Sequence, residues 1–576
     1  MNEDNEVDLF SILNESDYIC DENTGEFIIT VPKVQSESLI TVGIPCKISS
    51  NCQTIIKSKA FKVTSDILHL KSLNFEASVI VTNTQDFSIS NCTIRGDDRI
   101  VASLIISECE TSTINNVTIT DSTDMQGLYI INSIVNADKL SIHNLTGSLI
   151  KIEKESFLTL TNSNLHHSEK YAISAIDHSS IEISNCHFSD TINSLIYSEN
   201  SYLSIKNSFF SYSSSDGIFI TDTNDFVFEN NTFSSIKKTA IYIDENSCGT
   251  IEGNTINDCQ NNGIVSKKSN DILVKSNTIN HTIYPSIWIG HKSAASIQSN
   301  KITNCESNGI AIRGAQHAEI EGSEISEMKM NGISVSNASS CIIHNNKISN
   351  CLNAAIASFN DASVKAEKNV ISNSGKFAFS AFTCGTINAS NNEVDSVKEA
   401  MTSLILKGGG DFIDNKVQNC PKQNECETTS FYFFKGNGNF PSVTNDKKRI
   451  SDKSVVLDEL LASESSLCLN CHKNDRCCYL MNCGHKVFCK DCAEDAMKNK
   501  KECPLCFSSV DNYSFGAGEN DDGLCGICFE KKADCIIIPC GHLGACYSCL
   551  YGWFKNKKTC PFCRKDVSLF QQISDF

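Results

Sequence analysis

Residues 251–256 read Ile251-Glu-Gly-Asn254-Thr-Ile256. The same apolar-x-x-Asn-x-apolar string returns as Val274-Lys-Ser-Asn277-Thr-Ile279, Ile297-Gln-Ser-Asn300-Lys-Ile302 and Ile343-His-Asn-Asn346-Lys-Ile348. The closing apolar residues of the first three are 23 positions apart. Carried outward, the comb runs through Ile119, Ile142, Leu165, Phe188, Phe210, Phe233, Ile256, Ile279, Ile302, Ile325, Ile348, Ile371, Val394 and Val417; only the step from Phe188 to Phe210 is short, by one residue. A second comb keeps phase with it, Ile218, Ile241, Ile264, Ile287, Ile310, Ile333, Ile356 and Phe379, with a Gly or Ala before most members, such as Gly263, Gly309 and Gly332.

A fixed period of this size means a stacked array in which each repeat buries its apolar face against the next. The runs are short, β-branched and alternating, as in Gly217-Ile-Phe-Ile and Gly332-Ile-Ser-Val, and Asn, Ser, Thr and Gly fill the gaps, so the repeats are strands and turns. The expectation is a parallel β-helix of roughly 15 coils stacked about 4.8 Å apart. Asn231, Asn254, Asn277, Asn300, Ser323, Asn346, Asn369, Asn392 and Asn415 form one column, the spacing of an amide ladder that satisfies buried turns. Cys259, Cys305 and Cys351 fall on one inward column and read as small buried hydrophobes. The stretch 25–435 resembles the right-handed parallel β-helix superfamily that includes pectate lyases and carbohydrate-binding or sugar-hydrolase repeats. The acid clusters of those sugar-cleaving enzymes are not matched by any Asn-Thr-Asp, Gly-His-Gly or Arg-Ile-Lys, and Arg95, Arg99 and Arg313 are the only arginines before Arg449. A carbohydrate-processing β-helix therefore stands behind the readings below.

One outward face is suggestive. Phe219, Tyr242, Val265, Trp288 and Ala311 should line up in successive coils, beside Asp244, Lys267, Gly290 and Arg313, with His291 adjacent. Phe219, Tyr242, Trp288 and Arg313 are the candidate substrate-recognition residues, since aromatic and Arg anchors dominate protein interfaces.

The 576 residues carry 49 Lys and Arg against 68 Asp and Glu, a net charge of −19. Residues 441–576 hold 18 of each sign, so the deficit lies wholly in the first 440, and Met1–Glu26 holds nine carboxylates and no Lys or Arg. Such a surface repels phosphate backbones and anionic lipid, which argues against nucleic acid or membrane as partner. The start, MNEDNEVDLF, is not a secretory signal and no apolar run is long enough to span a bilayer, so the expected location is cytoplasmic or nuclear. There, 31 cysteines mean thiols and metal ligands rather than disulfides, and the sequons at Asn91, Asn116 and Asn144 are by-products of the repeat.

The C-terminal cysteines are arranged twice in the same way. Cys468-x2-Cys471, Cys483-x-His485, Cys489-x2-Cys492 and Cys503-x2-Cys506 recur, shifted by 57 residues, as Cys525-x2-Cys528, Cys540-x-His542, Cys546-x2-Cys549 and Cys560-x2-Cys563. A Cys-x2-Cys turn puts two thiolates on one tetrahedral ion, and eight S or N ligands per set make two closed Zn²⁺ sites, four ions in all. A redox Cys-x2-Cys leaves the histidines and the duplication unexplained.

This pattern resembles the RING finger family of C3HC4 type. The resemblance implies cross-brace pairing, with Cys468, Cys471, Cys489 and Cys492 on one ion and Cys483, His485, Cys503 and Cys506 on the other. In the second module the sets are Cys525, Cys528, Cys546 and Cys549, then Cys540, His542, Cys560 and Cys563. It also implies a ubiquitin ligase that binds a ubiquitin-charged conjugating enzyme (E2) and speeds transfer to lysine with no covalent intermediate. The second module is similar to the Cbl family: Ile527, Trp553 and Pro561 would form the E2 platform, and Arg564 would be the linchpin that touches both E2 and ubiquitin, a positioning role. The first module has Asn470, Ala496 and Phe507 at the matching positions and keeps only Pro504, so it is expected to bind zinc but recruit E2 poorly. Each module is followed by a similar tail, Val510 with Tyr513 and Val567 with Phe570, and the final stretch, Val567 to Phe576, resembles the short apolar tail of inhibitor-of-apoptosis RINGs, which implies RING–RING pairing.

The reading is mainly β: an acidic segment 1–24, a right-handed parallel β-helix of 23-residue coils over 25–435, a linker with a short helix over 436–466, a RING over 467–510, a linker over 511–523 and a second RING with its tail over 524–576. In function it is an E3 ubiquitin ligase whose β-helix recruits a protein substrate, with a zinc-dependent scaffold lacking ligase activity as the alternative.

Overall fold

The computed structural model describes residues 6–426 apart from 23, 123–125 and 406, together with 431–435 and, toward the C-terminus, 478–480, 486–499, 513–514, 527, 535–538, 542–546, 549–550, 553, 559–561, 564 and 569–572. The chain divides into two units, Met1–Asp446 and Lys447–Phe576.

The first unit is a parallel β-helix. Each coil supplies three short strands, and each strand pairs in parallel with its counterpart one coil on. Gly249–Glu252 pairs with Ile272–Lys275, Thr255–Cys259 with Thr278–Thr282, and Ile264–Lys267 with Ile287–Gly290. Three sheets result. Ile251, Ile256 and Ile264, one from each sheet of a single coil, are fully buried, because alternation along each strand sends every second side chain inward. One continuous core runs from Leu9 to Cys420 and includes Cys259, Cys305 and Cys351 as buried thiols.

The solenoid makes about 17 turns, more than the comb revealed. The first coils do not keep the period: Ile55 pairs with Asn74 and Asn74 with Thr93, steps of 19, and Thr93 pairs with Thr118, a step of 25. From Thr118, which pairs with Ser141, the second sheet keeps steps of 23 except for the step of 22 from His187 to Phe209.

The acidic residues ahead of position 25 close this end of the core. Glu6–Asp8 pairs with Leu39–Val42, and the Asp8 carboxylate caps the helix Leu9–Ile12 by accepting the Phe10 N–H at 2.9 Å, which seats Leu9 in the core with no exposure. Tyr18–Asp21 runs antiparallel to Glu26–Ile29, and the rings of Phe10 and Phe27 lie 4.7 Å apart over it. Such a cap removes the open edge on which another chain could stack.

In the second unit each module carries a three-stranded antiparallel sheet. Cys478–Leu480 is flanked by Lys486–Phe488 and Tyr513–Ser514, and Cys535–Ile538 by His542–Ala545 and Leu569–Gln572. Leu480 pairs with Tyr513 and Ile537 with Phe570, so each tail adds the third strand to its own module in the same register. Cys478 and Cys535 are fully buried strand residues of these modules. The helix expected near Ser454–Leu461 lies outside the described residues. Among the described residues no helix is long and apolar enough to cross a membrane.

Candidate functional site

The Asn column forms an unbroken buried ladder from Asn231 to Asn300. Asn277 Oδ1 accepts the backbone N–H and the Nδ2–H of Asn254 at 2.9 and 3.0 Å, while its own Nδ2 donates to the Ile251 carbonyl at 2.9 Å and to Asn300 Oδ1 at 3.0 Å. Every polar atom of the amide is spent on neighbouring coils, which leaves nothing for chemistry. Ser323 interrupts the run, its hydroxyl accepting the Asn300 N–H at 3.2 Å. The residue before each member, such as Asn230 (φ 55°) or Asn391 (φ 55°), sits in the left-handed region that makes the turn.

The outward face of the third sheet aligns as its spacing predicts. Tyr197, Phe219, Tyr242, Val265, Trp288 and Ala311 stand opposite one another in consecutive coils, with Lys267, Gly290 and Arg313 on the adjoining column. Tyr197 and Phe219 stack at 5.8 Å and Phe219 and Tyr242 at 5.1 Å, with planes within 13°. Val265 breaks the stack, and Lys267 Nζ fills the gap, 5.3 Å from the Tyr242 ring and 5.9 Å from the Trp288 ring. His291 packs on Trp288 at 5.5 Å. Burial draws the Tyr242 hydroxyl pKa up, opposed by Lys267. Burial, then Lys267 and Arg313, holds the His291 imidazole below its ordinary range.

A second concavity drew no attention in the sequence. A groove of about 650 Å³ follows the turn beyond the second sheet, lined by Ile192, Tyr212, Lys237, Asp258, His281 and Ile283 among others. Its signal is apolar exposure at turn positions, with Ile192 58 % and Tyr212 63 % exposed.

In the second module Cys546, Cys549 and Cys560 gather around Ile537, Ala545 and Leu550, with Ile527 half-buried against the same cluster. Trp553 Nε1–H donates to the Thr559 carbonyl at 2.8 Å, which pins the indole while leaving it half-exposed. The Arg564 N–H donates to the Cys560 carbonyl at 2.9 Å, closing the turn that follows Pro561. Arg564 has φ 61° and is exposed, so a strained backbone holds this residue at the surface. In the first module Cys489 caps the helix Lys490–Lys498 and Cys492 lies in its first turn, both buried. Ala496, which matches Trp553, is buried and offers no platform.

These inward thiols suit Zn²⁺, whose structural sites are closed shells of sulfur and imidazole nitrogen. Cys468, Cys471, Cys483, His485, Cys503, Cys506, Cys525, Cys528, Cys540 and Cys563 lie outside the described residues, as do Asn470, Pro504 and Phe507. His542 is placed by its backbone, in the strand beside Cys535–Ile538.

Comparison with known proteins agrees with both halves. The family described as "Right handed beta helix region" matches residues 77–199, 148–295 and 285–445, and the family "Zinc finger, C3HC4 type (RING finger)" matches 464–513 and 521–570. The E3 ubiquitin-protein ligase APD4 of Arabidopsis thaliana is 30 % identical over 97 residues, 17 % of this chain and 23 % of that protein. The E3 ubiquitin-protein ligase CBL-C of Homo sapiens is 44 % identical over 52 residues, 9 % of this chain and 11 % of that protein. Apoptosis inhibitor 1 of Autographa californica nuclear polyhedrosis virus is 26 % identical over 102 residues, 18 % and 32 %. The chain thus spans less than a third of the length of each of these relatives. Among solved structures, the periplasmic alginate epimerase AlgG is 9 % identical with a TM-score of 0.20, covering 76 % of this chain and 84 % of that one. With its solenoid matched over more than half of its length, the chain belongs to the right-handed β-helix family and carries two C3HC4 RING fingers behind the helix.

Proposed function

We propose that the chain is a RING-type E3 ubiquitin-protein ligase, in which the β-helix recruits a protein substrate and the second RING binds a ubiquitin-charged E2 and promotes transfer to a substrate lysine. The observation that carries it is the second module: Ile527 is half-buried against the cluster that holds Cys546 and Cys560, Trp553 and Pro561 are half-exposed, and Arg564 is exposed with its N–H bonded to the Cys560 carbonyl. A half-exposed apolar group on so small a domain suits an interface.

Zinc, four ions per chain, supplies the cross-links that hold each module together in place of a large core. The chain's own residues do the rest. Ile527, Trp553 and Pro561 hold the E2, while the Arg564 guanidinium donates hydrogen bonds to E2 and ubiquitin together and keeps the thioester in a reactive geometry, an entropic and orientational gain. The first module supports the second through RING–RING pairing, an arrangement consistent with the tail strands lying at the edge of each sheet. Reduced thiols along the solenoid suit action in the cytoplasm or nucleus.

The test is autoubiquitination with a panel of conjugating enzymes, wild type against Arg564→Ala. Ubiquitin chains in wild type and their loss in the variant support the ligase. Silence across the panel would leave the zinc-dependent scaffold as the reading.

A further inference from the structure

The outward face of the third sheet gathers hydrogen-bond donors with little to accept from them. Trp288 lies flat along its strand: a Cβ on Gly290 would meet Trp288 Cζ2 at 2.7 Å, so the absent side chain is what admits the indole. The Trp288 Nε1–H has no hydrogen-bond partner among the described residues. Arg313 stands one coil on from Gly290, half-buried, and its guanidinium likewise has no hydrogen-bond or ion-pair partner among the described residues. Burial alone acts on its pKa, downward, and no carboxylate acts in the other direction. Lys267, one coil before Gly290, arches over the Tyr242 and Trp288 rings, and His291 flanks the indole. Asp244 is a carboxylate whose charge acts on His291; its Oδ1 accepts the Glu245 N–H at 3.1 Å. Lys268 is committed to Glu245.

A half-buried guanidinium without a partner is costly unless something completes it. On a chain of net charge −19, the unpartnered Arg313 guanidinium stands beside an indole N–H and beside Lys267, which is held over the Tyr242 and Trp288 rings, so donors and positive charge gather at one place. We infer that Lys267, Trp288, His291 and Arg313 form the docking point for an oxyanion, phosphoryl or carboxylate, borne by an extended segment of the substrate protein. This rests on the reading that the β-helix recruits a protein substrate, and it names the chemistry recruited.

Two observations favour a peptide over the other anionic or ring-stacking partners. Tyr197, Phe219 and Tyr242 spend faces on one another and Lys267 lies over the Tyr242 and Trp288 rings, whereas a sugar needs a free face to stack on. The acidic rod around the patch repels a polyanion, which engages many phosphates at once, far more than it repels a single anionic side chain. The fork geometry of Arg313 suits a carboxylate or phosphoryl group equally.

The test uses the full-length protein and degenerate peptide libraries whose central residue is fixed as phosphoserine, glutamate or serine. The anionic libraries should be retained over serine. Arg313→Gln should lower that retention about tenfold or more, as expected on losing a charge-assisted pair. Arg313→Lys, which keeps the charge without the fork, should recover part of it. Lys301→Gln, which removes one exposed charge from the second sheet, should change nothing. In a Trp553→Phe background Trp288 is the remaining tryptophan, and its emission should shift on adding a selected peptide. Preference for phosphoserine alone, for glutamate alone or for both would each support the inference and tell the phosphoryl source from the carboxylate. Equal retention of all three libraries, equal weakening by Lys301→Gln and Arg313→Gln, or unchanged Trp288 emission would overturn it. Autoubiquitination of the same wild-type preparation is scored separately: silence there counts against the ligase and leaves the peptide result standing.

Discussion

Asn254 donates twice to Asn277, through its backbone N–H at 2.9 Å and through Nδ2–H at 3.0 Å, both to the single atom Oδ1. Two coils are thus tied at a buried turn by one amide, and the tie repeats wherever the column holds Asn.

Asn277→Ala removes the acceptor of both bonds and the donor to the Ile251 carbonyl. Buried groups left without partners should lower stability by roughly 2–3 kcal/mol. Asn277→Ser should cost less, since Ser323 already accepts from Asn300 at the equivalent turn. Urea unfolding followed by far-ultraviolet circular dichroism reads both, and a midpoint for Asn277→Ala equal to wild type would contradict the ladder's role.

Zinc content should be four ions per chain, with Cys560→Ser lowering it. A chelator should unfold both modules while leaving the β-sheet signal of the solenoid unchanged, because the buried core from Leu9 to Cys420 needs no metal. Metal analysis and circular dichroism on the same sample check this; loss of the sheet signal together with the metal would refute it.

The two modules should be unequal. Ile527→Ala and Arg564→Ala should each reduce ubiquitin transfer by tenfold or more with zinc content unchanged, whereas replacing Ala496, already buried within its helix, should alter the fold of the first module before it alters E2 binding. Discharge of a ubiquitin-loaded E2 onto free lysine measures the transfer. Intact discharge in both second-module variants would reverse the assignment.

Alkaline pH should weaken the solenoid through its buried thiols. Burial raises the pKa of Cys259 and of Cys351 from the ordinary 9.0 to about 12, and raises Cys341 further. A thiol that stays protonated in the folded chain but ionises in the unfolded one contributes its full stability below pH 9. That contribution drains away as pH rises from 9 toward 12. Unfolding free energy should therefore be flat with respect to these groups up to pH 9 and fall above it, and the fall should shrink in a Cys259→Ala, Cys341→Ala, Cys351→Ala variant. A slope unchanged by the triple substitution would exclude the thiols as its source.

The parts of the molecule legible in the sequence are those where geometry repeats. Asn231 through Asn415 keep one spacing because each satisfies the same turn, and the zinc ligands do so because tetrahedral coordination permits few spacings. Alignment of Phe219, Tyr242 and Trp288 followed from the period alone. What stayed hidden depends on particular side chains. The steps of 19 and 25 residues near Asn74 and Thr93 break the count although the pairing survives. A second ladder, Cys109 and Ser133 donating their backbone N–H groups to the hydroxyls of Ser133 and Ser156, has no distinct sequence signal because serine is common in turns. That Val265 opens a slot for Lys267, and that Gly290 lets Trp288 lie flat, are packing facts which no spacing encodes.

The ladder has a direction. From Asn231 to Asn254 to Asn277, each Asn gives its backbone N–H and one Nδ2–H to the Oδ1 of the coil that follows it in the chain, while its Nδ2 also donates back to a carbonyl of the coil before, so only the backbone N–H bond points one way. On the ribosome the most recently emerged coil therefore lacks its acceptor until about 23 more residues are made, one to five seconds at ordinary elongation rates. Growth is vectorial: each new turn completes its predecessor, and the solenoid can assemble in the order of synthesis without waiting for its far end.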